Sequence, residues 1–323
     1  MIKNISENYR IIYMGTPYFA VAPLEAILKS EIEVAAVVTV PDKPAGRGLK
    51  VQESSVKQFA LKNSLPVLQP ASLKDAEFIS KLSSYNADLF VVVAFRMLPK
   101  EIWKLPSNGT INLHASLLPQ YRGAAPINRV IMNGEKLTGL TTFFIDEKID
   151  TGKIIDFVEI PIGFTTTAGE LHDEMMEKGG ELLLNTIREI RNKNYKITDQ
   201  QSFIIEPDKL KTADKINKSD CKIDFHNEAV DVYNKIRGLS PYPSAYTFLE
   251  INGKSTQVKI ISTELIEGKH KSDPGTILSD NKTYLYIIAK GGIINVKQLQ
   301  PEGKKKMTVE EFLRGIKQLD STI

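Results

Sequence analysis

The first half of the chain alternates between short, nearly unbroken apolar runs and longer stretches whose apolar residues recur every three or four positions. Arg10 to Met14 (RIIYM) is apolar and ends at Gly15-Thr16-Pro17, and the residues up to Lys29 then place Phe19, Val21, Leu24, Ile27 and Leu28 at helical spacing. The pattern predicts a strand, a tight turn and a helix. Ile32 to Val40 and Leu89 to Phe95 (LFVVVAF) are apolar runs rich in β-branched residues, as expected of strands covered on both faces. Val56 to Lys62 and Ala76 to Leu82 read as helices, and Val67-Leu68 as a short edge strand. Further strands are expected over Thr110 to His114, Thr138 to Ile145 and Lys153 to Ile160, with a helix over Pro126 to Met132. Thr167-Ala168-Gly169-Glu170 matches a capping box ahead of a long helix reaching about Arg191, in which His172 reads as structural. Strands alternating with helices indicate a doubly wound, mostly parallel α/β sheet.

From Asn192 to Asp214 the apolar period is lost and Lys, Asn, Gln and Thr dominate, the composition of a linker. After it, Glu228 to Arg237 has helical spacing and GLSPYPSAY is a proline and aromatic turn. Short alternating runs follow at Ala245 to Ile251, Gln257 to Thr263, Gly275 to Leu278, Tyr284 to Ala289 and Ile293 to Gln298, a spacing that predicts a small all-β barrel. The expected organisation is a first domain over 1–192, a linker over 193–211 and a barrel domain over 212–323. A chain of 323 residues is long for one domain and suits two.

Composition adds little beyond the class. A hydrophobic share of 42% with 25% charged residues is that of an ordinary globular protein with a sizeable core. The one cysteine, Cys221, has no partner for an internal disulfide, and the polar opening MIKNISENYR is no signal segment, so the chain reads as cytoplasmic. Its longest apolar runs are far short of a membrane span. Net charge is +3, roughly −1 before Glu206 and roughly +4 after it, which makes the second domain the better polyanion contact.

Candidate chemistry gathers in GTINLHASLLPQYRGAAPINR, Gly109 to Arg129. Along a strand from Thr110 to His114 side chains alternate, so Ile111 and Leu113 point to a core while Asn112 and His114 share the other side, at the end of the sheet where α/β folds keep their ligands. The first turn, GTPYFA, has one Gly where a dinucleotide fingerprint wants three, and neither GxxxxGK[ST] nor HExxH occurs, so nicotinamide binding, nucleotide hydrolysis by a P-loop and zinc proteolysis lack their residues. PDKPAGRGLK, Pro41 to Lys50, carries two prolines and two glycines that argue against regular structure, and it brings Lys43, Arg47 and Lys50 together.

NLHASLLPQYRGAAPINR resembles the signature of the folate-dependent formyltransferases, and GTPYFAV, PDKPAGRG, IDTG, KIDF, IRGLSPYP, PGTI and LQPEGKKKM extend the resemblance over nearly the whole chain. It implies a Rossmann-like catalytic domain followed by an OB-like barrel, with 10-formyltetrahydrofolate as formyl donor and initiator methionyl-tRNA as acceptor. It implies no metal, no membrane and no required protein partner. By the same resemblance Asn112, His114 and Asp150 are catalytic, and Asp146 and Glu147 are turn residues. Phe95, Arg96, Met97 and Leu98 in AFRMLP, with Ser116, Leu117, Leu118 and Pro119, are implied to hold folate. Lys43, Arg47 and Lys50, with Lys304, Lys305 and Lys306, are implied to contact tRNA. Two departures stand out: Lys43 replaces the family's usual Arg, and AFRMLP is one residue shorter than the usual AYGLILP and carries Arg96.

In that chemistry the amine attacks as free base, Asn112 and a protonated His114 donate to the oxyanion, and Asp150 orients or charges His114 while a proton passes to the leaving nitrogen. A nucleophilic residue is unnecessary. Two alternatives are a related formyltransferase acting on a small amine, such as an aminosugar nucleotide or glycinamide ribonucleotide, and a non-catalytic RNA-binding protein. The second domain, which a small substrate would not need, argues against glycinamide ribonucleotide, and the intact Asn112, His114 and Asp150 set argues against the RNA-binding protein.

Overall fold

A computed structural model describes residues 9–45, 50–268 and 270–323. The chain forms two compact units. One takes Met1–Gly123, Thr138–Ile160 and His172–Thr212; the other takes Ala124–Leu137, Pro161–Leu171 and Ala213–Ile323. The division therefore differs from consecutive blocks at 1–192 and 212–323. Pro126–Met132 groups with the second unit because Met132 packs against that unit's core, and the polar stretch after Asn192 groups with the first.

The first unit is built on β1 (Arg10–Gly15), α1 (Val21–Leu28), β2 (Glu33–Val38), β3 (Lys43–Ala45), β4 (Lys50–Gln52), α2 (Ser55–Lys62), β5 (Val67–Leu68), α3 (Ala76–Ser84), β6 (Leu89–Val93), α4 (Lys100–Trp103), β7 (Thr110–His114) and β8 (Arg122–Gly123). The chain continues through α5 (Pro126–Met132), β9 (Leu137–Phe144), β10 (Ile154–Pro161) and α6 (Ala168–Asn192). The main sheet runs β10-β9-β7-β6-β1-β2-β5. β1 pairs in parallel with β2 and β6, β6 with β7 and β2 with β5, whereas β7 and β9 are antiparallel. Every residue of β6 is buried, which accounts for its unbroken apolar run. Ile12, Met14, Ala36, Val38, Phe90 and Val92 pack with Phe78, Leu82 and Ile102 on one side of this sheet. Helices start where a side chain meets their free amides: Asp75 accepts from Glu77 and Phe78 at α3, and Ser54 from Lys57 at α2.

Two expectations need correction here. Strand β6 stops at Val93 rather than Phe95, because Ala94 takes φ 48°, a left-handed turn out of the sheet. Pro41 to Lys50 is not irregular throughout: Lys43–Ala45 and Lys50–Gln52 pair as antiparallel strands, Lys43 with Gln52 and Ala45 with Lys50, while residues 46–49 lie outside the described residues. A two-stranded ladder has free edges, where proline costs no hydrogen bond. The hairpin's base is held by Asp42, which Lys57 binds and to which the Gln69 amide donates at 2.7 Å.

The second unit contains α7 (Ala229–Gly238) and an antiparallel sheet. After β11 (Thr212–Ala213), which lies where the chain passes between units, come β12 (Ala245–Ile251), β13 (Lys254–Glu267), β14 (Ile277–Ser279), β15 (Leu285–Ala289), β16 (Gly292–Pro301), β17 (Met307–Thr308) and helix α8 (Val309–Arg314). The order is β12-β13-β16-β15-β14, with β17 beside β16. β13 is twice the expected length, since its first half pairs with β12 and Val258 to Glu267 with β16, through bulges between Ile260 and Thr263. Phe225, Val232, Tyr233, Ile236, Leu249 and Phe312 are among the residues filling its interior.

The last residues of the chain join the two edge strands, a feature the alternation pattern did not announce. The Asn252 and Asp320 amides bond the Gln318 and Glu250 carbonyls at 3.0 and 3.1 Å. On the other side the Ile277 and Ile323 amides bond the Ser321 and Gly275 carbonyls at 2.7 and 3.1 Å. Both edges of the sheet are thereby covered by backbone pairing.

Candidate active site

Strands β6 and β7 are adjacent and parallel, and the candidate residues lie in the second half of β7 and in the turns that follow both strands, the usual ligand side of such a sheet. In β7, Ile111 and Leu113 are buried at 0% and 3% exposure, as the alternation requires. Asn112 sits opposite Val92 on one side and Phe143 on the other, and His114 opposite Thr141. Asn112 is partly exposed, and among the described residues its side-chain amide has no hydrogen-bond partner. His114 is 6% exposed, and its Nε2 lies 2.9 Å from the Tyr121 carbonyl oxygen. A carbonyl only accepts, so Nε2 carries hydrogen and Nδ1 is the ring nitrogen left without a backbone partner. Nδ1 faces Asp150, 3.7 Å from Oδ2.

The turn after β7 is locked from within. Ser116 Oγ donates to the Gln120 carbonyl at 2.7 Å, Thr141 Oγ1 donates to the Ser116 carbonyl at 2.7 Å, and the Leu118 amide donates to Thr141 Oγ1 at 3.1 Å. Tyr121 holds φ 58°, an unfavourable conformation for a bulky residue, and its amide donates to the Lys211 carbonyl at 2.7 Å. That strained turn is what aims the Tyr121 carbonyl at His114. Two residues on, the Gly123 amide donates to Asp150 Oδ2 at 3.0 Å.

Asp150 is presented by the turn between β9 and β10. Asp146 Oδ1 accepts from the Lys148 amide at 3.0 Å and from Thr151 Oγ1 at 2.8 Å, so its carboxylate is committed to the turn itself, and Glu147 pairs with Lys100 of α4. Asp150 is left-handed, φ 54°, with its side chain only 14% exposed. At Gly152 a Cβ would stand 1.6 Å from the Phe144 carbonyl oxygen, so only glycine lets the chain turn back this closely along β9. Gln200, 1% exposed, donates to the Asp150 and Gly152 carbonyls at 2.9 and 2.7 Å and accepts from Arg122. Sequence reasoning missed Gln200, Arg122 and the Tyr121 carbonyl. A glutamine inside a polar stretch has no periodic or motif signal, and its importance exists only in the tertiary contacts.

The residues implied for folate follow β6 and β7 but differ in access. Phe95 and Arg96 are partly exposed and Met97 is 71% exposed, whereas Leu98, Ser116, Leu118 and Pro119 are buried and Leu117 is intermediate. Arg96 donates to the Pro70 and Ala71 carbonyls and lies over the Phe95 ring, its centroid 5.3 Å away, while its Nε is buried without a partner. Leu118 packs with Phe143 and Ile154. Lys43 is exposed on β3, Lys50 begins β4, and Arg47 lies outside the described residues. Lys304, Lys305 and Lys306 are exposed in the turn between β16 and β17 of the second unit. Among the described residues no three His, Cys, Asp or Glu side chains are grouped to hold a metal ion, and no helix is long and apolar enough to cross a membrane.

Comparison with known proteins gives the family. The family model described as formyl transferase matches residues 9–187, and that of the formyl transferase C-terminal domain matches residues 215–317. The chain belongs to the formyl transferase family. Among curated members, a methionyl-tRNA formyltransferase of Flavobacterium johnsoniae is 49% identical over 310 residues, 96% of this chain and 97% of that protein. Another, of Bacteroides fragilis, is 47% identical over 310 residues, 96% of this chain and 95% of that protein. Among solved structures, an N-formyltransferase from Helicobacter canadensis in complex with folinic acid and dTDP-3-aminofucose has a TM-score of 0.65 at 24% identity, covering 90% of this chain and 98% of its own, a likeness of fold. In this formyl transferase the first match ends inside α6, and the second takes in the antiparallel sheet.

Proposed function

We propose that this formyl transferase moves the formyl group of 10-formyltetrahydrofolate onto the free amino group of methionyl initiator tRNA. One observation carries the reading: identity of nearly one half, extending over both units, to proteins named for that activity.

The site supports a division of labour among three residues. The amine nitrogen attacks the formyl carbon, the carbonyl becomes an oxyanion, and collapse breaks the bond to the folate nitrogen, which takes up a proton. Asn112 offers unpartnered amide hydrogens to the oxyanion. His114 offers Nδ1, because its Nε2 hydrogen is already given to Tyr121. Asp150 faces that nitrogen, orients the ring and shares in moving the proton between the two amines. Phe95 to Leu98 and Ser116 to Pro119, along the ends of β6 and β7, form the folate-side wall, the buried members shaping the backbone that lines it. Lys43, Arg47 and Lys50 with Lys304, Lys305 and Lys306 supply phosphate contacts to the tRNA, and the second unit helps to hold it. The reaction needs no metal and no protein partner, and its acceptor places it in the cytoplasm.

The test is formyl transfer from 10-formyltetrahydrofolate to charged initiator tRNA, run beside glycinamide ribonucleotide and an aminosugar nucleotide. Product on the tRNA alone is expected. Faster transfer to either small amine would overturn the assignment.

A further inference from the structure

The stretch that composition marks as a linker is tied into the active-site turns by one side chain. Gln200 comes from a short helical turn, Gln200–Phe203, capped by Asp199, whose Oδ1 accepts from the Gln201 amide at 2.9 Å. Just before it, Thr198 and Ile154 exchange two backbone hydrogen bonds of 2.8 and 2.9 Å. Farther on, the Lys211 carbonyl accepts from Tyr121 and the Lys211 amide donates to Gln120 Oε1 at 2.9 Å. The segment is thus pinned at both ends to the turns that present Asp150 and His114.

Every hydrogen-bonding position of the Gln200 amide is used. Its two N–H groups go to the Asp150 and Gly152 carbonyls, and its oxygen accepts from Arg122 Nε at 3.0 Å and Nη2 at 2.6 Å. A primary amide is the side chain that presents two donors to one neighbour and two acceptor positions to another. The two neighbours matter. One is the backbone of Asp150 itself, held at φ 54°, a conformation that needs external support. The other is Arg122, adjacent to Gly123, whose amide meets the Asp150 carboxylate. A single amide therefore fixes the peptide that carries the carboxylate and the strand end that receives it.

The geometry points to Gln200 as a positioning residue: it holds Asp150 against His114 and makes the 198–211 segment part of the catalytic apparatus. This rests on the catalytic reading of Asp150. Gln200 touches no reacting atom and acts only through that residue. A small misplacement of a catalytic group is worth up to about a hundredfold in rate, so a purely geometric role is visible in kcat.

Gln200→Glu keeps the side chain's size and its oxygen towards Arg122 but turns an acceptor, instead of two donors, on the Asp150 and Gly152 carbonyls. Gln200→Met keeps the length and removes every hydrogen bond. Each is compared with Asp150→Asn and combined with it in a double-mutant cycle, with kcat, both KM values, the pH profile of kcat and the melting curve recorded. Both single variants should lose about tenfold to a hundredfold in kcat with KM values changed less than about threefold. Their pH profiles should move towards that of Asp150→Asn. In the Asp150→Asn background either change at Gln200 should cost less than about threefold further, because the residue through which it acts is already disabled. Fully additive losses, or kcat retained in a folded Gln200→Glu, would overturn the positioning role. Where Gln200→Met does not fold, Gln200→Glu with its unchanged volume decides. If Asp150→Asn is itself fully active, the reading of the catalytic set fails and the positioning role fails with it, a result distinct from an inert Gln200 beside an essential Asp150.

Discussion

His114 Nδ1 stands 3.7 Å from Asp150 Oδ2, while the opposite nitrogen of the same ring is fixed 2.9 Å from the Tyr121 carbonyl. The ring has one free edge, and a carboxylate looks at it. In the proposed reaction His114 acts through Nδ1, the nitrogen that Asp150 faces.

Asn112→Ala, His114→Ala and Asp150→Ala should each lower kcat by about a hundredfold or more, since each removes an interaction belonging to the transition state. In the proposed reaction His114 and Asp150 act as a pair, so the double variant should fall far short of the product of the two single losses. Steady-state kinetics of the four proteins, with circular dichroism to confirm folding, check this. Multiplicative losses for His114 and Asp150 would separate them.

Gly152→Ala places a methyl group 1.6 Å from the Phe144 carbonyl. The Asp150 turn must move away from the end of β9, and with it the carboxylate. Activity should drop at least as far as in Asp150→Ala, and the melting temperature should fall as well, because overpacking against backbone costs roughly 1 to 3 kcal/mol. An active, equally stable Gly152→Ala would mean that the turn has a second conformation competent for catalysis.

What was legible in the sequence follows from which interactions are local. A strand puts alternate residues on one face, so Asn112 and His114 could be paired from spacing alone, and the apolar run of β6 announced a buried strand. Thr167 and Glu170 form the reciprocal bonds that their spacing predicts. Asp150 needed the family motif, because three acidic residues in one turn look alike until Asp146 is seen holding Lys148 and Thr151. Contacts between distant segments were not legible. Gln200 matters through Asp150, Gly152 and Arg122, and the hairpin at Lys43 is held by Asp42 with Lys57 and Gln69, none of which composition reveals.

Removing residues 319–323 takes away backbone partners of both β12 and β14. At a net value of about 0.5 to 1.5 kcal/mol for each hydrogen bond removed, the second unit should be destabilised by roughly 2 to 4 kcal/mol. Thermal unfolding followed by calorimetry measures it. A truncated protein melting with the full chain would show that the sheet holds without its closing segment.

Lys43→Ala and the triple replacement of Lys304, Lys305 and Lys306 by Ala should weaken tRNA binding and leave the KM for folate unchanged. If the side chains neutralise phosphates, the slope of log affinity against log salt should shrink by about 0.9 for each phosphate no longer neutralised. An unaltered slope would remove those lysines from the interface. Lys43→Arg should be neutral or mildly improving if the ammonium supplies only charge, and harmful if the hairpin has adapted to Lys.

The most direct measurement of the central claim compares kcat/KM for methionyl initiator tRNA with that for methionyl elongator tRNA. The amino acid and its reacting amine are the same in both, so only the nucleic acid differs. The account predicts a preference for the initiator of about tenfold or more, the size expected when one specific contact of about 1 to 3 kcal/mol is made to one tRNA and not the other. Equal kcat/KM for the two tRNAs would contradict it.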